Sequence, residues 1–350
     1  MPMHAAGAAS PLAFLLLASV SLISSKLAAD GAELTLSEGF RAEVFHEGIG
    51  ERARHIVIRD NGVVLVSRRD GELVALRDSN GDGRADDIER RKLDIETGLE
   101  IHDGYLYFSD DNSVSRVLLD DQLMPAGEPE LMVSGFPRQG SHATKSLAVS
   151  DAGELFVNVG APSNACQTKH RSPGSPGQSP CPQLERQAAI WRFDAAKAGQ
   201  DQLDGERYVT GTRNVVALDY NEAEQALYFA IHGRDQLSTL WPDFYDDRDS
   251  AEKPAEEFHR AEKGADYGWP STYVDPETGK RMLAPEYGGD GVKQAEAGRF
   301  QTPLHAYPAH WAPNDLVFYT GDAFPERYQG GAFIAWRGSW NRAPMPQDGY

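Results

Sequence analysis

The sequence predicts an all-β protein built as a β-propeller, and three observations carry that prediction. One apolar-alternating hairpin recurs along the chain. Long amphipathic helices are absent. Irregular insertions rich in Pro, Gly and charge separate the hairpins. A β-sandwich is the competing all-β architecture, but it has no need of the same hairpin five times.

The copies run in order. "HIVIRDNGVVLVS" (55–67) is a strand, a turn and a second strand. "GLEIHDGYLYFS" (98–109) is a looser copy, and "SLAVSDAGELFVNV" (146–159) and "VVALDYNEAEQALYFAI" (215–231) repeat the pattern closely. "LVFYTGDAFPERYQGGAFIA" (316–335) is the last. Each turn carries Asp, Asn or Gly, as tight hairpins require. The insertion "DFYDDRDSAEKPAEEFHRAEKGA" (243–265) reads as a solvated, charge-rich excursion, and "GWPSTYVDPETGK" (268–280) as a turn-rich loop.

Before the first copy, residues 1–29 read as a secretory leader. Leu12 to Ile23 is an apolar stretch too short to span a membrane comfortably, and "LAA" (27–29) offers a small-residue cleavage site, although the first ten residues lack Lys and Arg. This assigns 30–350 to the propeller domain and places the mature protein in a periplasm or outside the cell. No later segment reads as a membrane span. The 350 residues carry 34 basic and 53 acidic side chains, a net charge of −19. That balance argues against nucleic acid and anionic membrane surfaces as partners. The two cysteines, Cys166 and Cys181, flank a Pro/Gly/Ser loop. In an oxidising compartment they are expected to pair, a closure worth about 3 kcal/mol in the chain-entropy model.

The stretch "DSNGDGRADDIE" (78–89) has calcium-loop spacing. Asp78, Asn80, Asp82, Asp86 and Glu89 fall at loop positions that supply side-chain ligands. Gly83 takes the sharp turn, and Arg84 offers its backbone carbonyl. The preceding "ELVAL" has period two, so the loop is expected to join strands, not EF-hand helices.

In a hairpin, the start of the first strand and the end of the second share one edge, which in a propeller faces one mouth of the central channel. The residues at those positions are Arg54, His55, His142, Lys145, Arg213, His232, Arg234, His310, Arg337 and Arg342. A chain of net charge −19 that concentrates cations at one opening is expected to take an anionic ligand there.

Several segments together carry a family resemblance: "SHATKSLAVS", "LFVNVGAPSNACQ", "GTRNVVALDYN", "HGRDQL", "YGWP" and "RGSWNR". With "SEGFRAEVF" and the 78–89 loop, this chain resembles the soluble pyrroloquinoline-quinone-dependent sugar dehydrogenases of the glucose/sorbosone dehydrogenase family over nearly all of 34–350. The resemblance implies a six-bladed propeller with the quinone on its axis, held by calcium. It implies His142 as general base and Arg213-Asn214 as quinone contacts. Backbone carbonyls of Gly233 and Arg234 would hold the cofactor calcium, and Arg337 and Arg342, with Lys145, the quinone carboxylates. The family continues into further strands where this chain reaches Tyr350, so the last blade is expected to be incomplete. The expected substrate is a sugar oxidised at its anomeric or aldehyde carbon. Electrons would pass to a separate acceptor, a cytochrome or quinone, because no haem attachment motif is present. Two other readings stay open: a non-catalytic calcium-dependent carbohydrate-binding propeller, and a calcium-dependent lactonase. The lactonase would need acidic or amide groups converging on the axis.

Overall fold

A computed structural model describes residues 26–29, 32–347 and 349. The predicted leader falls outside the described residues except for Lys26–Ala29. That strand pairs antiparallel with Ala32–Thr35 in an N-terminal unit of its own, which ends at Glu47.

From Gly48 onward, the chain is an all-β, propeller-like array. The first blade runs Ala53–Ile58, Val64–Arg68, Glu72–Arg77 and Asp87–Lys92 in sequential antiparallel order. The second runs Leu99–His102, Tyr105–Ser109, Val114–Leu118 and Glu130–Ser134. Its outer edge also takes the short strand Gln200–Asp201 in parallel. The third runs Leu147–Val149, Glu154–Val159, Ala189–Asp194 and Glu206–Thr210. The fourth runs Val215–Asn221, Ala226–Ile231, Glu256–Arg260 and His305–Tyr307. A two-stranded sheet follows, Pro313–Phe318 with Ala332–Trp336. Each of the five sequence hairpins forms the inner pair of one of these sheets. Four full blades are therefore seen. The six-blade expectation goes beyond the sheets found among the described residues.

The period of two explains how the blades stack. Leu106 and Phe108 pack back onto Leu65, Leu73 and Ala75 of the first blade, while Tyr107 between them packs forward onto Leu155, Val157 and Trp191 of the third. Phe156 turns the other way, onto Leu218, Leu227 and Phe229 of the fourth. Tyr228 and Ala230 then meet Leu316, Phe318 and Ile334. Central strands are thus buried on both faces, and Ala226–Ile231 is buried at every residue.

Two insertions differ from their sequence reading. The segment 243–265 is not a solvated excursion. It forms an Asp246-capped helix, Asp247–Glu252, and then Glu256–Arg260, the third strand of the fourth blade. Most of its charges are exposed, but Glu256 and Glu257 are buried, and Glu257 is paired, with Arg281 at 2.6 Å and His259 at 3.0 Å. The 268–280 loop contains Thr272–Val274, paired with Arg281–Leu283. Around that hairpin, Leu237, Tyr245, Tyr273, Met282 and Ala284 form a small core. No helix among the described residues is long and apolar enough to cross a membrane.

Candidate functional site

The site begins with His142, just before the inner strand of the third blade. Its backbone is left-handed (φ 52°), a conformation that costs a non-glycine residue of order 1 kcal/mol or more. Gln139 holds it there, its Nε2 donating to the carbonyls of Ser141 (2.8 Å), His142 (2.8 Å) and Gly160 (2.9 Å). The imidazole Nδ1 lies 2.6 Å from the Ala161 carbonyl. A carbonyl only accepts, so Nδ1 carries the proton and Nε2 keeps its lone pair. A side chain at residue 160 would press within 2.8 Å of His142 and 2.7 Å of Asn214 Oδ1, so glycine is required. Burial, followed by the Arg213 charge, pushes His142 down to about 3.

Arg213 lies where the hairpin edge predicted, but its guanidinium is fully engaged. Nε donates to Asn164 O (3.2 Å). Nη1 donates to Gly233 O (2.6 Å) and, more weakly, to His232 O (3.4 Å). Nη2 donates to Asn164 Oδ1 (3.1 Å) and Asp235 Oδ2 (3.0 Å). Those five bonds use all its donors. In this arrangement Arg213 fixes the 232–235 loop against the third blade. Asp235 is its counter-charge and also pairs with Arg171 (2.8 Å). Burial alone would raise the Asp235 carboxyl, but Arg213, Arg171 and His310 outweigh it and hold it below the usual range. Asn214 is buried beside His142, its Oδ1 3.4 Å from Asn158 Nδ2.

His232 Nε2 lies 2.6 Å from Pro313 O. Burial pushes this imidazole down to about 4 against that bond, helped by Arg213 and Arg337. His310 is buried, on Ser250 O (3.0 Å) and near Asp235 (3.7 Å). His55 is also buried and bridges the first and fifth sheets through Asn314 O (3.1 Å). Neither has the partly exposed placement of His142. Glu256, beneath the loop, accepts N–H bonds from Gly233 (3.0 Å) and Ala312 (3.3 Å), and burial pushes it up to about 7.

The exposed cations of the mouth come from the first and fifth sheets. Burial and the charges of Arg69, Arg337 and Arg52, in that order, lower Arg54. These four guanidiniums share one region, and among the described residues none makes a salt bridge to a carboxylate. Arg52 and Arg69 were missed as named candidates, although "RARH" and "RRD" flank the first hairpin at this edge.

Two predicted cofactor cations fall elsewhere. Lys145 is fully buried, with Nζ bonded to Ala143 O, and burial pushes it down to about 8. It lies within electrostatic reach of Asp111, Asp110 and Glu96. Arg342 is 4% exposed and spends its donors on Pro346 O (2.8 Å), Ala309 O (2.7 Å) and Glu252 (3.3 Å). It ties down the last turn and does not face an open ligand site. Arg337 is exposed, as a ligand-binding cation must be.

The 78–89 loop joins two strands, as its period-two approach predicted. Its carboxylates, however, turn onto the backbone. Asp78 accepts N–H bonds from Asn80, Gly81, Asp82 and Gly83. Asp86 accepts from Ser79 and Asn80, and Asp82 from the Arg84 N–H (2.9 Å). Glu89 sits in the strand opposite Ala75. Among the described residues no group of three or more His, Cys, Asp or Glu side chains is gathered to hold a metal, so the expected ligand convergence is absent. At Gly233, one carbonyl lone pair is already taken by Arg213. The Cys166–Cys181 disulfide is formed, as the cysteine usage predicted.

Comparison with known proteins gives a family match and a fold match. The family model described as TrAA12-like matches residues 34–350. A calcium structure of the Trichoderma reesei carbohydrate-active enzyme family AA12 superposes with a TM-score of 0.66. It is 20% identical and covers 83% of this chain and 75% of that one. The holo form of the pyranose dehydrogenase PQQ domain from Coprinopsis cinerea also superposes with a TM-score of 0.66, at 19% identity, over 85% and 74% of the two chains. An uncharacterized protein of Borreliella burgdorferi is 31% identical over 133 residues, which is 38% of this chain and 30% of that protein.

Proposed function

The chain belongs to the TrAA12-like family, and from that membership we propose that it is a pyrroloquinoline-quinone-dependent oxidoreductase acting on a sugar at its anomeric or aldehyde carbon. The observation that carries the reading is the pairing, at one mouth, of a histidine with a free Nε2 and a cluster of arginines that, among the described residues, make no salt bridge to a carboxylate and have only Glu96 within electrostatic reach. Those arginines fit a cofactor bearing several carboxylates.

Bound quinone supplies the hydride acceptor. The remaining work falls to the chain. His142 Nε2 takes the proton from the sugar hydroxyl, with Nδ1–H held on Ala161 O so that the tautomer cannot reverse. Arg54 and Arg337, with Arg52 and Arg69, bind the cofactor carboxylates, and Asn214 faces the same space beside His142. Arg213 and Glu256 hold the 232–235 loop from two sides. The Gly233 and Arg234 carbonyls remain the proposed ligands of a cofactor calcium, Gly233 through its second lone pair. The proposal includes a six-bladed count, export behind a leader of residues 1–29, and electron transfer to a separate acceptor.

Reconstitution with pyrroloquinoline quinone and calcium tests the reading. Dye reduction is assayed across aldoses, sorbosone and deoxy sugars, with the bound-quinone absorbance recorded alongside. A protein that never binds quinone overturns the reading in favour of a binding module. A calcium-dependent lactonase is the second reading: Glu100, Asp219 and Asp315, on three inner strands, lie within electrostatic reach of one another, although they are not gathered as a metal site. Lactone hydrolysis by quinone-free, calcium-loaded protein would select it.

We also keep calcium on the 78–89 loop as a proposal, with Asp78, Asn80, Asp82, Asp86, Glu89 and the Arg84 carbonyl as ligands. In the wild type, calcium should raise the melting temperature. The double variant Asp82→Ala, Glu89→Ala should lose that gain and keep its substrate preference. An equal gain in both proteins means that the loop is only a turn.

A further inference from the structure

Behind the 232–235 loop lies a cavity of about 30 Å³, lined by Arg234, Arg213, Glu257 and the apolar walls Ile231, Pro254 and Trp269. Arg234 is 4% exposed, and its guanidinium is only half used. Nη1 pairs with Glu286, while Nε and Nη2 have no hydrogen-bond partner. These two atoms form one edge of the guanidinium, with two parallel N–H donors. That fork is the edge with which arginine grips carboxylates and other anions. A buried pair of unmet charged donors is costly and calls for an acceptor.

The two nearby carboxylates are anchored to other partners. Glu286 has a fully buried side chain and takes Trp241 Nε1 (2.9 Å) and Gln167 Nε2 (3.2 Å) on its other oxygen, so it cannot swing to cover the fork. Glu257 is held by Arg281 and His259. Arg213 adds a second guanidinium to the lining, and the apolar walls weaken screening. The space admits one small group and no heterocycle or sugar.

We propose that this cavity is a small-anion site, in which a halide-sized ion sits on the Nε/Nη2 fork of Arg234. The anion completes the loop that also carries Gly233, so occupancy stiffens one wall of the mouth without touching substrate. The proposal does not rest on quinone chemistry, and it stands even if the protein never binds quinone.

Bromide is the probe. Anomalous diffraction from crystals grown in sodium bromide should place one peak within hydrogen-bond distance of both Arg234 Nε and Nη2. In solution, bromide should raise the melting temperature saturably over gluconate at equal ionic strength. Arg234→Lys, which keeps a charge for Glu286 but removes the fork, should abolish the saturable part. An anomalous map without that peak, or with water alone on the fork, overturns the site. So does an equal bromide gain in the variant. If Arg234→Lys does not fold, the wild-type anomalous map decides.

Discussion

At the mouth, His142 and His232 are pushed down to about 3 and about 4. Within the inner strands Leu99–His102 and Val215–Asn221, Glu100 and Asp219 are pushed up to about 8 and about 6. Burial is the leading cause in all four, because it penalises whichever form is charged. The surroundings differ. Beside the histidines stand Arg213 and Arg337, so the mouth repels a proton and attracts an anion. Beside Glu100 stand the charges of Asp219 and Asp315, so this carboxyl retains its proton. Asp219 resists with N–H bonds from Phe318 and Tyr220, each 2.8 Å, which Glu100 answers with a single one from Ile101 (3.0 Å). The mouth thus pairs an open proton acceptor with positive charge, whereas at Glu100 burial and neighbouring carboxylates favour the protonated form.

The largest expected effect breaks the mouth side of this contrast. His142→Ala should lower turnover by roughly 10²–10⁴, the range for a lost general base, while quinone absorbance stays at its wild-type level. The wild-type pH profile is a second check. A base held near 3 is already deprotonated throughout the neutral range, so the rate should show no acid limb near 6.5. A limb near 6.5 that disappears in the variant would mean a well-solvated imidazole, and the contrast would fail. Full turnover in the variant would remove His142 from the mechanism.

The next effect concerns the anion. Arg54→Ala with Arg337→Ala should weaken quinone binding by roughly 10- to 100-fold, about 1.4–2.8 kcal/mol, and should flatten its salt dependence. The measurement is absorbance titration at two ionic strengths. Unchanged affinity would show that the cofactor carboxylates lie on other groups.

Much of the mouth was legible in the sequence because hairpin edges are a local property. His142, Arg54, His232 and Arg337 were placed by their distance from a turn, and they do gather. Roles were less legible than places. Arg213 and Arg342 sit near the expected edge, yet each is consumed by backbone carbonyls from remote segments. Lys145 was expected at the mouth as a free cation, but it is fully buried with its Nζ on the Ala143 carbonyl, which no local pattern signals. Glu256 and Glu257 were hidden in a segment whose charge density reads as solvated, since their partners Gly233 and Arg281 lie far away in sequence. Glu100, Asp219 and Asp315 carry no local signal. They come within electrostatic reach only when three inner strands are brought together.

The smallest effect sharpens the carboxyl side of the contrast. Glu100 has a folded pKa raised above its usual 4.5 to about 8, so the folded state binds its proton more tightly than the unfolded chain does. The stability this contributes is fully present below about 4.5 and is lost as pH rises through about 8. Glu100→Gln keeps the shape and the oxygen that accepts from the Ile101 N–H, but it cannot ionise. It should therefore be near neutral at pH 5 and stabilising at pH 8 by ~1–2 kcal/mol, read as a rise of roughly 2–6 °C in melting temperature. The Asp219 shift rests on burial first and then on the Asp315 and Glu222 charges, so it should persist in this variant. Asp219→Asn alone should gain less, because an amide loses one of the two N–H acceptor positions that Asp219 fills. The same melting-temperature difference at pH 5 and pH 8 would show that Glu100 is ionised throughout, and a counter-cation would then have to be sought beside it.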